Sequence, residues 1–284
     1  MKQKLLLLAT SLLLITTLPA CKKDKGSPPA LPLYGSMAID FSLFTDPGKK
    51  GELPEGDIKD IPDPDENFSF SAQMAAIWSN ILYIDLAVPV EAFRQAHNKA
   101  PSWIDDKTWE WEFAVTGIPG TYNARLVGKK VAGGTEWEMF ISKEGDGAFD
   151  DFLWFTGQSS EDGLSGSWTF SANAQFQQPL LQIDWIRSGN TISQVKYTYI
   201  REVNDAGQPD LFKTSYIEYG RLTGTYDFYF DIRIYEPLVI EDFVTVLIEW
   251  NSATGAGRVK ALHKFSDEEW HCWDNEKFNI DCPS

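Results

Sequence analysis

Between Thr108 and Phe155 apolar and polar residues alternate with a period of two. The pattern is plainest in Thr108-Trp109-Glu110-Trp111-Glu112-Phe113, in Thr135-Glu136-Trp137-Glu138-Met139-Phe140 and in Asp151-Phe152-Leu153-Trp154-Phe155. Turn chemistry separates them at Ile118-Pro119-Gly120, Gly133-Gly134 and Glu144-Gly145-Asp146-Gly147. Rings at every second position with acids between them mark strands that bury one face. The pattern continues to about residue 265 and predicts strands near 108–116, 121–129, 134–142, 150–157, 165–172, 180–187, 191–203, 211–219, 224–236, 241–250 and 257–265. Short turns between them, with Gly220 read as one, make sequential strands neighbours in an antiparallel meander. A sheet of about a dozen strands has to curl, close or split. The expected fold is therefore mainly β, a curved antiparallel meander closing into a barrel-like sheet, with a two-sheet β-sandwich as the alternative.

Ahead of the sheet, Met37, Ile39, Phe41 and Leu43 share one face of an alternating stretch at 36–44, which predicts a further strand. Residues 45–67 hold four prolines, three glycines and a run of acids, and read as a long solvated loop rather than a calcium loop, whose fixed ligand spacing they lack. Periodicity changes to three and four over 69–98, where Met74, Ala75, Trp78, Ile81 and Leu82 make one stripe and Pro89 suits the first turn of a second helix. An apolar stripe must bury itself, so this helical region is expected to pack on the sheet or plug it.

Residues 1–20 read as a signal peptide, with Lys2 and Lys4 before the apolar run Leu5 to Ile15, which is too short to span a bilayer. Leu18-Pro19-Ala20-Cys21 resembles a bacterial lipobox, although Pro19 departs from its usual residue. That resemblance implies cleavage before Cys21 and lipidation of its sulfur, with residues 21–35 as a tether to the membrane. The remaining residues, 36–284, form a single β-rich domain. Removal of the leader moves the net charge from −16 to −18, which argues against nucleic acid as a partner because phosphates need a basic footprint. Apart from Cys21, the cysteines are Cys272 and Cys282; an exported chain meets oxidising conditions, so a disulfide between them is expected over a metal site that also uses His271.

Candidate chemistry is sparse. Three histidines and no Gly-x-Ser-x-Gly elbow give nucleophilic catalysis little support. Glu110 with Glu112, and Glu136 with Glu138, could serve as the two carboxylates of a glycan hydrolase, but alternating glutamates also suit an ordinary exposed sheet face. An open barrel lined by aromatics would make a lipid carrier. A binding surface is the stronger reading. In the strand at 224–236, Tyr226, Phe228, Phe230, Ile232 and Ile234 form a core face, leaving Tyr229, Asp231, Arg233 and Tyr235 on the other, beside Asp184 and Arg187. Tyr and Arg are favoured where proteins recognise partners. No residue pattern calls for a cofactor.

Met37-Ala38-Ile39-Asp40-Phe41, the Trp-bearing strands and the tail His271-Cys272-Trp273-Asp274 ending at Cys282 resemble uncharacterised envelope lipoproteins of Bacteroidota-type bacteria. The resemblance implies an outer-membrane-anchored lipoprotein, facing either the periplasm or the exterior, and brings no activity with it. The expectation is a non-enzymatic binding or interaction module whose partner is an envelope protein or a small ligand.

Overall fold

A computed structural model describes residues 25–44 and 67–283. The leader, Cys21 and nearly all of the acidic loop lie outside the described residues. After a 3-10 turn at Tyr34–Met37 come helix α1 (Asn67–Ala96) and the strands β1 (Ser102–Asp105), β2 (Thr108–Val115), β3 (Thr121–Val131), β4 (Gly134–Glu144), β5 (Phe149–Ser160), β6 (Ser165–Ser171) and β7 (Pro179–Ser188). These are followed by β8 (Thr191–Tyr199), β9 (Tyr216–Arg221), β10 (Phe228–Glu236), β11 (Asp242–Trp250) and β12 (Gly257–Lys260), then helix α2 (Leu262–Phe265), β13 (His271–Trp273) and β14 (Asn279–Ile280). The strands make one antiparallel sheet in strict sequence order, an unbroken meander whose first and last strands do not pair.

The sheet wraps around α1. That helix touches β2 and β3 near one edge and β12 and β13 near the other. Ten strand spacings of about 4.8 Å separate β2 from β12, roughly 48 Å if the sheet were flat. The helix bends by 75° between Asn67–Leu82 and Leu86–Ala96, so at 1.5 Å per residue its ends lie only about 30 Å apart. Both edges can reach it only if the sheet curls. Pro89 explains the bend: it has no N–H to donate, and its ring crowds the carbonyl four residues back, inside the break. Asn67 pins the start of the helix, its Nδ2 donating to the Cys272 carbonyl (2.9 Å) and its backbone N–H to Asn279 Oδ1 (3.0 Å). No single helix among the described residues is long and apolar enough to cross a membrane.

The concave face is filled. Trp78 and Phe93 from α1 are 1% and 0% exposed, and Phe93 packs edge-on against Trp168 of β6. Residues 36–44 are not a strand. They lie inside the curl with no strand edge to pair with, and Met37, Phe41 and Phe44 point into the core at intervals of three and four. Trp168 Nε1 donates to Ser36 Oγ (3.2 Å), and Phe44 sits edge-on to Trp250.

A recurring device lines the sheet: a large ring lies across a glycine directly opposite it on the neighbouring strand. Trp137 covers Gly128, Trp168 covers Gly157, Trp185 covers Gly166 and Trp273 covers Gly257, and on the outer face Tyr229 covers Gly220. A Cβ built on Gly128 would stand 2.6 Å from the Trp137 ring. The missing side chains let rings lie flat on the backbone, and glycines at such positions allow a sheet to curve. Gly220, read from sequence as a turn, is thus an interior residue of β9.

Residues 200–215 form a corner rather than strand ends, built on Asp210, which accepts from Arg201 Nε (2.6 Å) and Tyr199 Oη (3.1 Å). Residues 262–265 are helical, and β1, β13 and β14 are strands too short for alternation to reveal. Cys272 and Cys282 are joined by a disulfide with Cα atoms 5.1 Å apart. The sulfurs are therefore not metal ligands, and His271 Nε2 instead lies 3.0 Å from Asp267 Oδ1.

Candidate functional site on the outer face of the sheet

Alternation along β10 divides its side chains cleanly. Phe230 and Ile232 are fully buried against the core, so Tyr229, Asp231, Arg233 and Tyr235 stand on the outer face. Cross-strand register brings Glu218 of β9 opposite Asp231, and Lys196 of β8 opposite Glu218. The Tyr229 hydroxyl donates to Glu218 Oε1 (2.6 Å), which also accepts from Gln194 Nε2 (2.6 Å). Tyr216 Oη donates to Asp231 (3.2 Å), and Lys196 Nζ lies 3.7 Å above the Tyr216 ring and 3.4 Å from Glu218. Two tyrosines, two carboxylates, an amide and an ammonium thus form one ordered network.

The two carboxylates stand opposite each other and are pushed in opposite directions. Burial and the neighbouring Glu218 charge raise the Asp231 pKa, against the Tyr216 hydrogen bond and Lys196. Burial would also raise Glu218, but hydrogen bonds from Tyr229 and Gln194 and the Lys196 charge outweigh it and lower the pKa. Burial and the charge of Asp231 push the Tyr216 hydroxyl up to about 12.

The four residues predicted on β10 do not act as one group. Arg233 lies over the Phe243 ring (3.6 Å) and donates to Thr214 Oγ1 (2.6 Å), while Tyr235 Oη donates to the Glu241 carbonyl (3.1 Å). These two brace the end of the strand; Tyr229 and Asp231 belong to the network. Asp184 joins the same row, opposite Lys196. Arg187 does not, because a bulge after Ile186 turns it toward Gly163 at the β5–β6 turn. Tyr226 leaves the predicted core face, with the Arg258 guanidinium 4.8 Å above its ring. Gln194, Lys196, Tyr216 and Glu218 were missed, although Gln194-Val195-Lys196 and Tyr216-Ile217-Glu218 carry the polar-apolar alternation that could have found them.

West of the network, in the direction of β3, the outer face sinks into a trough. One depression of about 560 Å³ is lined by Ser165, Ser167, Gln158, Asp184, Lys196 and Glu218 among others. A second, also about 560 Å³, shares Gln158 and Ser167 and continues past Glu136 to Lys129 and Thr108. Register places Lys129, Glu136, Gln158, Ser167, Asp184, Lys196 and Glu218 in one row across the strands. Small side chains on β5 and β6, between longer ones on β3, β4 and β8, make the hollow.

The paired glutamates lie on this open face. Glu112, Glu136 and Glu138 are exposed, and Glu110 lies 3.4 Å from Arg125, which is held chiefly by Asp151 (2.8 Å). Trp185 and Trp137 reach the floor of the trough, where each is 1% exposed. Comparison with family models, curated proteins and solved structures found no match to this chain.

Proposed function

We propose that this chain is a membrane-tethered, non-enzymatic binding module that holds an extended polar segment of an envelope protein along the outer face of its sheet. The observation that carries this reading is the continuity of the trough with the Tyr229–Glu218–Lys196–Tyr216–Asp231 network. The row runs from β3 to β9, about 30 Å at the usual strand spacing, which suits a stretch of chain better than a small molecule. The trough is open, so it does not enclose a compact ligand as a small-molecule site does. Its lining offers carboxylates, amides and hydroxyls in alternation, able to pair with backbone and polar side chains. Half-buried tyrosines at one end supply the amphipathic contact area favoured at binding hot spots. The tether follows from the lipobox resemblance at Cys21.

The test is to fill the trough. Ser167→Arg and Gln158→Arg place long side chains in it from outward-facing positions and leave the core untouched. A protein co-purifying with the wild-type chain from envelope extract is expected to be lost from the double variant, whose thermal midpoint is unchanged. Equal recovery with both would contradict the reading.

A further inference from the structure

We infer that the mouth of the curl beside the β7–β8 turn is a binding site for a small zwitterion with an aliphatic body, an amino acid or a dipeptide. A cavity of about 450 Å³ opens there, between residues 33–40, the start of β8 and the end of β9. It shares no lining residue with the trough on the outer face. Small-molecule sites are hollows of this size, mostly apolar, with a few polar groups at fixed places. Leu33, Ile39 and Ile192 supply the apolar wall. Ile39, Ile192 and Tyr219 pack from behind against the core, and the Tyr219 ring is stacked on Phe228 with centres 5.4 Å apart. The wall is therefore held in place before any ligand arrives.

Two opposite charges, Asp40 and Arg221, line the same cavity. Burial raises the Tyr219 hydroxyl pKa, Asp40 raises it further and Arg221 draws it back, so both charges lie near one ring. Among the described residues neither is in an ion pair, with the other or with a third group. Asp40 accepts only the Ser42 N–H (2.9 Å). The Arg221 guanidinium lies 4.7 Å over the Phe228 ring, a contact that uses none of its N–H donors. The other charges nearby are taken. Asp227 acts on Arg221 and Tyr219 too, but its carboxylate accepts the Ser252 N–H (2.7 Å) and hydroxyl (2.5 Å). Beside Tyr34 at the rim, Glu91 and Arg94 pair with each other. A lone anion would be repelled by Asp40, and a lone cation by Arg221. A zwitterion meets both with the right sign: its carboxylate on the guanidinium fork, its ammonium on Asp40, its aliphatic part on Leu33, Ile39 and Ile192.

The test is calorimetric titration of the purified chain with leucine and with leucyl-leucine, each alongside its N-acetyl and amide forms, which lack one charge. At least one zwitterion is expected to bind saturably, with Kd about 1 mM or lower. Its two single-charge forms should bind about fivefold or more weakly. Asp40→Asn should remove the preference over the N-acetyl form, and Arg221→Gln the preference over the amide. Thr191 is exposed at the rim, so Thr191→Trp fills the mouth without entering the core and should abolish binding. All three variants are compared at unchanged circular dichroism. Failure of both zwitterions to bind would overturn the inference. So would equal affinity for the single-charge forms, or binding that none of the three variants alters.

Discussion

The tightest constraints in this molecule fall on single glycines. Gly157 lies beneath Trp168, and an added Cβ would meet that ring and the Ser167 carbonyl oxygen, the latter at 2.7 Å. Backbone cannot give way as a flexible side chain can, so Gly157→Ala is expected to cost roughly 2–3 kcal/mol. Gly189→Ala meets no atom within 4 Å but holds φ at +60°, and the backbone term alone should cost about 1 kcal/mol. Urea unfolding of both variants checks the order. Asp231 gives the second prediction at this scale. Its raised pKa means that folding favours the protonated carboxyl. Its contribution is therefore fully present below the unfolded pKa and is lost as pH rises through the folded one, above the ordinary Asp range. Asp231→Asn keeps an acceptor for the Tyr216 hydroxyl and removes the charge. It should be slightly more stable than wild type at pH 7, by less than about 1 kcal/mol or a few degrees in midpoint, with the advantage vanishing near pH 3. A variant less stable at pH 7 would mean that the ionised carboxylate strengthens the network.

At the scale of elements, alternation is informative wherever a strand buries one face and meets a neighbour along its length, as β2 to β7 do. It misleads at 36–44, where an alternating stretch lies inside the curl and every backbone edge nearby is already paired. It is silent for β13 and β14, whose three and two residues carry no period. The Gly–Trp pairs could not be read either, because each depends on which residues stand opposite across two strands. Part of the candidate site was legible for the same reason: one strand displays its own faces, so Tyr229 and Asp231 were found; alternation shows the outward faces of β8 and β9 too, but that Glu218 and Lys196 stand beside Asp231 depends on register. The last strands depend on their disulfide. Cys272 lies in β13 and Cys282 just after β14, ten residues on. Replacing both with Ala should cost about 2–3 kcal/mol through the unfolded chain, lower the midpoint by roughly 5–10 °C, and speed amide exchange first at 271–280. Unaltered exchange there would show that Asn67, bonded to Cys272 and Asn279, suffices to hold the edge.

For the whole molecule, the division of labour is between faces. Seven of the eleven tryptophans are buried, and with the inward phenylalanines they grip α1 and the 36–44 segment, so much of the aromatic richness builds a curved core. The outer face was left to polar residues, and it carries both the trough and the ordered tyrosine–carboxylate network. A photo-reactive residue placed at Gln158, at Tyr229, or at Leu238, which is 85% exposed on the distant β10–β11 turn, tests that division directly in intact envelopes. The account predicts one shared adduct from Gln158 and Tyr229 and none of that mass from Leu238. Adducts from Leu238 alone, with Gln158 and Tyr229 silent, would contradict it.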